Sequence, residues 1–521
     1  MRKLLVALCL ALSSLAISVQ AATPNKVIVV AQSLDDIISL DPGTGFELSS
    51  IQSIYNTYQR LIQPNPKQPT QLIAGLAQSW KIESHQIVFD LKPGATFASG
   101  NPVRPQDVIF SLTRVIKLNQ SPAFILAQLG WNASNVDNHV KQTGPHQVTV
   151  SWDKAISPQV ALAVLSAPVA SVIDEKTAMS HAQNHDLASG WLKMHSAGSG
   201  AYSIKRYIPH KVLLLQANPT SPGGAPKTPM VLIKNVPDAS TRQLLVEQGD
   251  ADIARNLGAD QIASLAHKAG VKTLSLPYAT VYYLMFNTKA SPTLANPKFW
   301  QAARWAFDYR GIAHDLMRDQ FQVHQSFLPI GFKGALTHNP YHFDPSKAKQ
   351  ILQSAGIETP HFTLLVNNQP PFADIAQALQ DSFAKAGIKV TLHQAISSQV
   401  ASQVKEHNYQ ATINFWGPDY FDPHTNASAF AYNPEDGQNK TLAWRANWHI
   451  PKLNQQTLAA LAEPNPAKRT QMYKILQTEV RDNSPFVIAL QTRKLLALRE
   501  YVKGFIQGTA PGMVYYQDVT K

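Results

Sequence analysis

The chain has 521 residues, 44% apolar and 15% charged, with a formal net charge of +12. That length exceeds one compact core and, at about 150 residues per domain, predicts roughly three domains. The apolar content argues against a disordered chain, and lysines and arginines are mixed with acids rather than gathered in runs, which argues against a nucleic-acid interface.

At the start, Arg2 and Lys3 precede the apolar stretch LLVALCLALSSLAISV, and VQA at Val19–Ala21 has the small residues of a cleavage site. This three-part pattern predicts a signal peptide over 1–21 and export of the rest to a bacterial periplasm. Serines break the run, so it falls short of the ~20 apolar residues that a membrane anchor needs. Cys9, the only cysteine, lies inside it. The exported chain then carries no thiol, which excludes disulfides, Cys-ligated zinc, iron–sulfur clusters and cysteine nucleophiles.

KVIVVAQ (26–32) is β-branched and continuous, the pattern of a buried strand. A turn at Asp41-Pro42-Gly43 leads to a helix with Ser49 or Ser50 as its cap. HQIVFDLKPGATFASG predicts a strand, a Pro-Gly turn and a second short strand. RPQDVIFSLTRVI places Val108, Leu112 and Val115 on one helix face. HQVTVSWD is a further strand, and AYSIKRY with KVLLLQAN predicts a hairpin. DASTRQLLVEQGDADIAR reads as a helix, a glycine stop and a short strand. YYLMFNTK (282–289) is a ring-rich strand, followed by a long amphipathic helix with Asn296 as N-cap and Pro297 at its first position. HFTLLVNN, a helix from about 372 to 386, and KVTLHQA form a βαβ unit, which implies a parallel sheet. YQATINFW closes that region as another strand and runs into GPDYFDP, so Asp419 falls in the crevice beyond a strand end, where α/β sheets bind ligands.

An acid among Phe415, Trp416, Tyr420 and Phe421 is partly desolvated, and that costs free energy unless a cation meets it. A ligand ammonium is such a cation, and rings around it add to the attraction. An Asx turn or helix cap is the competing reading for Asp419 and for Asp422, which precedes Pro423. Catalytic signatures are missing: Gly198-Ser199-Gly200 does not fit G-x-S-x-G, and neither a P-loop nor H-E-x-x-H occurs. The i,i+4 pairs His181/His185 and His338/His342 lack a third ligand, and Pro340 interrupts the second. The chain is therefore read as a binding protein with no cofactor, not an enzyme.

Four stretches in order carry a resemblance: LIAGLAQSWKI…HQIVFDLKPGATFASGNPVRPQDVIFSLTRV, GSGAYSIKRY, YYLMFNTKASPT…FWQAARWAFDYRGI, and WGPDYFDP. Together they resemble the family 5 extracellular solute-binding proteins of ABC transporters, the dipeptide, oligopeptide, opine and nickel group. The resemblance implies a periplasmic-binding-protein fold of α/β class, with two hinged lobes and an inserted extra domain. The expected division is lobe I over 22–65, 190–277 and 487–521, the extra domain over 66–189, and lobe II over 278–486. It implies capture of a short peptide by lobe closure, as a monomer, and delivery to ABC permease subunits of the inner membrane. An opine, another amino-acid conjugate or a nickel chelate is the alternative ligand; a peptide-holding chaperone or exported hydrolase is the alternative of another class.

By the same resemblance Asp419 matches the aspartate that holds a peptide's α-amino group. Trp416 and Tyr420 are expected to flank the ligand, and Tyr283 is counted with the ligand-facing rings. Glu47 faces either the cleft or its own helix terminus, and Phe124 lies where some members offer a ring to the ligand backbone. His424, on the same loop, is the metal-linked candidate if a chelate is bound. The strand before the loop has no arginine or lysine, so a ligand carboxylate must find its cation elsewhere, with Arg310 and Arg445 as candidates.

Overall fold

The computed structural model describes residues 23–318, 320–435 and 440–521. The predicted signal peptide, with Cys9, lies outside them. Val27–Gln32 is buried along nearly its whole length and pairs in parallel with Met230–Asn235 on one side and Ile253–Arg255 on the other. A strand covered on both faces needs a continuous apolar run, which KVIVVAQ supplies. Beyond Met230–Asn235 the sheet continues into the antiparallel hairpin of Val212–Ala217 and Tyr202–Ile208.

At the far end of the same sheet, His361–Asn367 pairs in parallel with Lys389–Ala395 across the helix Phe372–Lys385. Ala411–Trp416 lies on the other side of His361–Asn367, also in parallel. Two long antiparallel strands, Val271–Phe286 and Phe486–Arg499, join these halves into one eleven-stranded sheet. Their register slips between Pro277 and Val281. Pro277 has no N–H to give the ladder, so the slip falls where pairing is weakest.

Three of the apolar clusters among the described residues are large. One surrounds Val27–Gln32 and takes in Leu496, Leu498 and Tyr516 from the chain's end. A second lies under the Ala411–Trp416 end of the sheet and is rich in rings such as Phe286, Phe299, Phe362 and Phe430. The third spans 61–172 around a separate four-stranded sheet of Ala77–Ile82, Gln86–Leu91, Gln147–Ser151 and Val140–Gly144, covered by the helix Pro105–Leu118. Asp41 and Arg114 fasten the first and third together. The guanidinium meets both carboxylate oxygens at 2.8 and 2.6 Å, with no solvent exposure on either side chain.

Three local expectations need correction. The helix Leu48–Thr57 starts after Glu47, not after Ser49 or Ser50. The long helix from Asn296 stops at Ala306, Phe307 is extended, and a short π-helix follows over Gly311–Leu316. There Asp308 accepts the Gly311 N–H at 2.9 Å, a local bond that competes with continued helix. The second short strand in TFASG shrinks to a single bridge between Thr96 and Pro102. Among the described residues no helix is long and apolar enough to cross a membrane.

Candidate ligand-binding site

Phe415 and Trp416 end their strand on opposite faces, as the period of two requires. Gly417 and Pro418 then lead into the loop. A Cβ on Gly417 would lie 3.1 Å from Pro511 and 3.4 Å from Thr280, so this close approach favours glycine.

Asp422 organises the loop. Its carboxylate accepts two hydrogen bonds from the Arg469 guanidinium at 2.7 and 2.6 Å, and a third from the His424 N–H at 2.8 Å. Arg469 also donates to the Tyr473 hydroxyl at 3.1 Å, which in turn meets His424 Nδ1 at 3.1 Å. Each charge in this buried group has its partner, so Asp422 is part of the frame, the turn-and-cap role among its sequence readings.

Asp419, three residues earlier, is placed differently. Its backbone N–H donates to Thr425 Oγ1 at 3.0 Å, and the Thr425 hydroxyl steadies its carboxylate. Among the described residues no cation stands within ion-pair distance of it. Burial raises its pKa from 3.8 to about 7, with the Thr425 hydrogen bond opposing the rise. The residue stays partly accessible because it lines two cavities. One, of about 190 Å³, is apolar and walled by Phe46, Ile51, Tyr55, Tyr278 and Phe415. The other, of about 630 Å³, is bounded by Phe124, Gln128, Lys154, Trp416 and His424. Lys154 and Lys440 line the larger cavity too, but among the described residues neither comes within ion-pair distance of Asp419.

The sequence profile of the bacterial extracellular solute-binding proteins, family 5, matches residues 71–438. The chain belongs to this family. Over 493 residues it is 29% identical to the probable D,D-dipeptide-binding periplasmic protein DdpA of Escherichia coli K12, covering 93% of this chain and 92% of that one. It is 23% identical over 490 residues to the dipeptide-binding protein of the same organism, covering 89% and 88%. In fold it is similar to the dipeptide-binding protein from Pseudoalteromonas sp. SM9913 in complex with Met-Leu, with TM-score 0.77, 20% identity and coverage of 95% and 100%. It is likewise similar to HbpA2 from Haemophilus parasuis, with TM-score 0.79, 19% identity and coverage of 95% and 99%. The expected fold class, a periplasmic-binding-protein fold of the family 5 type, therefore holds.

Within this family 5 fold the remaining expected residues separate. Trp416 lines the larger cavity, and its indole N–H is buried without a hydrogen-bond partner among the described residues. Phe124 lies at the same cavity, 45% exposed, with its ring edge-on to Phe46 at 5.8 Å. Tyr420 borders the smaller cavity, but its ring is packed in the 61–172 core and its hydroxyl donates to Gln128 at 2.6 Å. It is a clasp between the loop and that core before it is a ligand contact. His424 borders the larger cavity, and burial lowers its pKa to about 4, so the ring is neutral. Among the described residues no group of three or more potential metal ligands forms.

Two of the expected residues lie away from these cavities. Glu47 lines neither cavity; its carboxylate accepts from the Phe46 N–H at 3.2 Å and the Ser50 hydroxyl at 3.0 Å, at the start of its own helix. Tyr283 is a core residue, edge-on to Phe430 at 5.2 Å and Phe486 at 5.8 Å. Its neighbour Tyr282 faces the other side, stacked on Phe372 and Phe415. Neither Arg310 nor Arg445 lines a cavity that Asp419 reaches. Residues missed by the sequence reading include Thr425, in the helix His424–Phe430 that follows the loop, and Tyr278 and Phe46, which no local pattern marks.

Proposed function

We propose that this family 5 protein captures a short peptide, or a related small ligand bearing an ammonium group, and delivers it to an ABC permease of the inner membrane. The observation that carries this reading is the Asp419 carboxylate, desolvated, with no cation within ion-pair distance among the described residues, and open to two cavities. A ligand ammonium would supply the missing charge, with Trp416 and Phe124 at its side and the apolar cavity taking a side chain. The D,D-dipeptide-binding and dipeptide-binding relatives support a peptide, and the periplasmic location of the first supports the same location for this chain.

The three cores support division into lobe I over 22–65, 190–277 and 487–521, an extra domain over 66–189, and lobe II over 278–486. Val271–Phe286 and Phe486–Arg499 would serve as the hinge for closure. Mass spectrometry of small molecules released by denaturing the purified protein tests this reading. Short peptides that disappear from Asp419→Asn would support it. An opine or nickel chelate would keep the transport role and overturn the peptide.

A further inference from the structure

The proposed clamp accounts for one end of a zwitterionic ligand. The sheet supplies a counterpart for the other end. A third cavity, of about 420 Å³, lies along the hinge-side strands and shares Leu48, Tyr278, Thr280 and Phe415 with the apolar cavity at Asp419. The two spaces are therefore neighbours across a common wall.

Lys494 lines the hinge-side cavity from Phe486–Arg499, opposite Leu276. Its ammonium lies 4.4 Å from the centroid of the Tyr278 ring and 3.3 Å from Asn256 Oδ1. Among the described residues no carboxylate is within ion-pair distance. The charges around it do not compensate for this. Among the described residues Arg255, beside it, is hydrogen-bonded to the neutral side chains of Gln32, Gln52, Gln507 and Tyr516 and has no carboxylate within ion-pair distance. Arg493 is engaged by Ser275 and Gln322. Two carboxylates stand nearby: Asp374 lines the cavity from the helix Phe372–Lys385, and Asp36 accepts the Ser49 N–H at 3.0 Å. Burial first, then Arg255, lowers the Lys494 pKa to about 8, against Asp36. Lys494 thus mirrors Asp419: a desolvated charge on a cavity wall with no opposite charge paired to it.

We infer that Lys494 receives the terminal carboxylate of a ligand whose ammonium rests on Asp419, with the ligand lying along Tyr278 and Phe415. This assignment rests on the proposed role of Asp419 and names the specificity of the site: a zwitterion with an apolar side chain, free at both ends. Arg310 and Arg445, the cations that the sequence suggests for this task, then have no part in it.

Titration calorimetry with Met-Leu, Ala-Ala and D-Ala-D-Ala, each as free acid and as C-terminal amide, tests it on wild type, Lys494→Gln and Lys494→Arg. Amidation is expected to weaken binding to wild type about 10- to 100-fold, the range for losing one charged hydrogen bond. Lys494→Gln should lose the same factor for the acid and almost nothing for the amide, and Lys494→Arg should retain most of the acid's affinity. Melting temperatures of Lys494→Gln and Lys494→Met, expected within a few degrees of wild type, separate lost binding from lost folding. If Lys494→Gln weakens acid and amide alike, Lys494 acts in closure, for instance against Asp374, and the inference is wrong. No effect of Lys494→Gln on an acid that binds would also overturn it, while leaving the Asp419 reading intact. If none of the six probes binds wild type, the peptide reading fails and this inference with it.

Discussion

Ionising Asp419 is unfavourable, because its oxygens lose water and, among the described residues, gain the Thr425 hydroxyl in return. In the unfolded chain the same group titrates near its ordinary value of 3.8, against about 7 when folded. Between those values the folded state binds the extra proton. This contribution to stability is therefore full below about pH 4 and lost as pH rises toward 7, with a size of at most about 4 kcal/mol. Asp419→Asn should flatten that slope and raise the melting temperature at pH 8. Urea unfolding at several pH values measures it, and identical slopes in both proteins would refute the assignment. The opposite is expected three residues on. Asp422→Ala strands the Arg469 guanidinium in a buried site and should destabilise by about 3–5 kcal/mol.

The loop from Gly417 to Pro423 joins parts of the molecule that lie far apart in sequence. Through the Tyr420 hydroxyl on Gln128 it touches the 61–172 core, and through Asp422 it is tied to the helix Pro466–Asn483. Tyr420→Phe removes one hydrogen bond from that clasp, and thermal unfolding should register a loss of about 1 kcal/mol. A change as large as that of Asp422→Ala would mean the hydroxyl holds more than this contact. The elements that position the loop were largely legible in sequence. His361–Asn367, Phe372–Lys385, Lys389–Ala395 and Ala411–Trp416 each carry a clear apolar period and a turn signal.

The two connecting strands were less legible. Only the Tyr282–Phe286 end of the first was anticipated, because Lys272 to Leu276 are partly solvent-facing and carry little apolar pattern. Tyr282 and Tyr283 alternate between the two faces of their strand in unbroken register with Ala411–Trp416, and no local pattern marks Tyr283 as the one packed on Phe430 and Phe486. Asp419 itself stood out through its loop motif. Its lack of a cation, and that of a carboxylate at Lys494, depend on what distant segments fail to bring near, and no local pattern records that.

At the scale of the molecule, the proposed lobe movement would be confined to what Val271–Phe286 and Phe486–Arg499 permit, since both run through the continuous sheet. The cavities at Asp419 are lined by Phe46 and Phe124 from the N-terminal third of the chain and by Trp416 from the other side, so the proposed binding would draw on both. Closure around a ligand should therefore shrink the particle. Small-angle scattering of wild type is expected to give a smaller radius of gyration with a bound dipeptide than without, and no change in Asp419→Asn. Contraction of both proteins alike would move the closing contact away from Asp419.

The most direct test of the ammonium clamp compares one ligand with and without its charge. Calorimetric titration of Met-Leu and N-acetyl-Met-Leu into wild type and Asp419→Asn at pH 8 makes that comparison. The account predicts that wild type binds the free amine at least about 10-fold more tightly than the acetylated peptide, and that Asp419→Asn loses this preference. Equal affinity of wild type for the two peptides would contradict it.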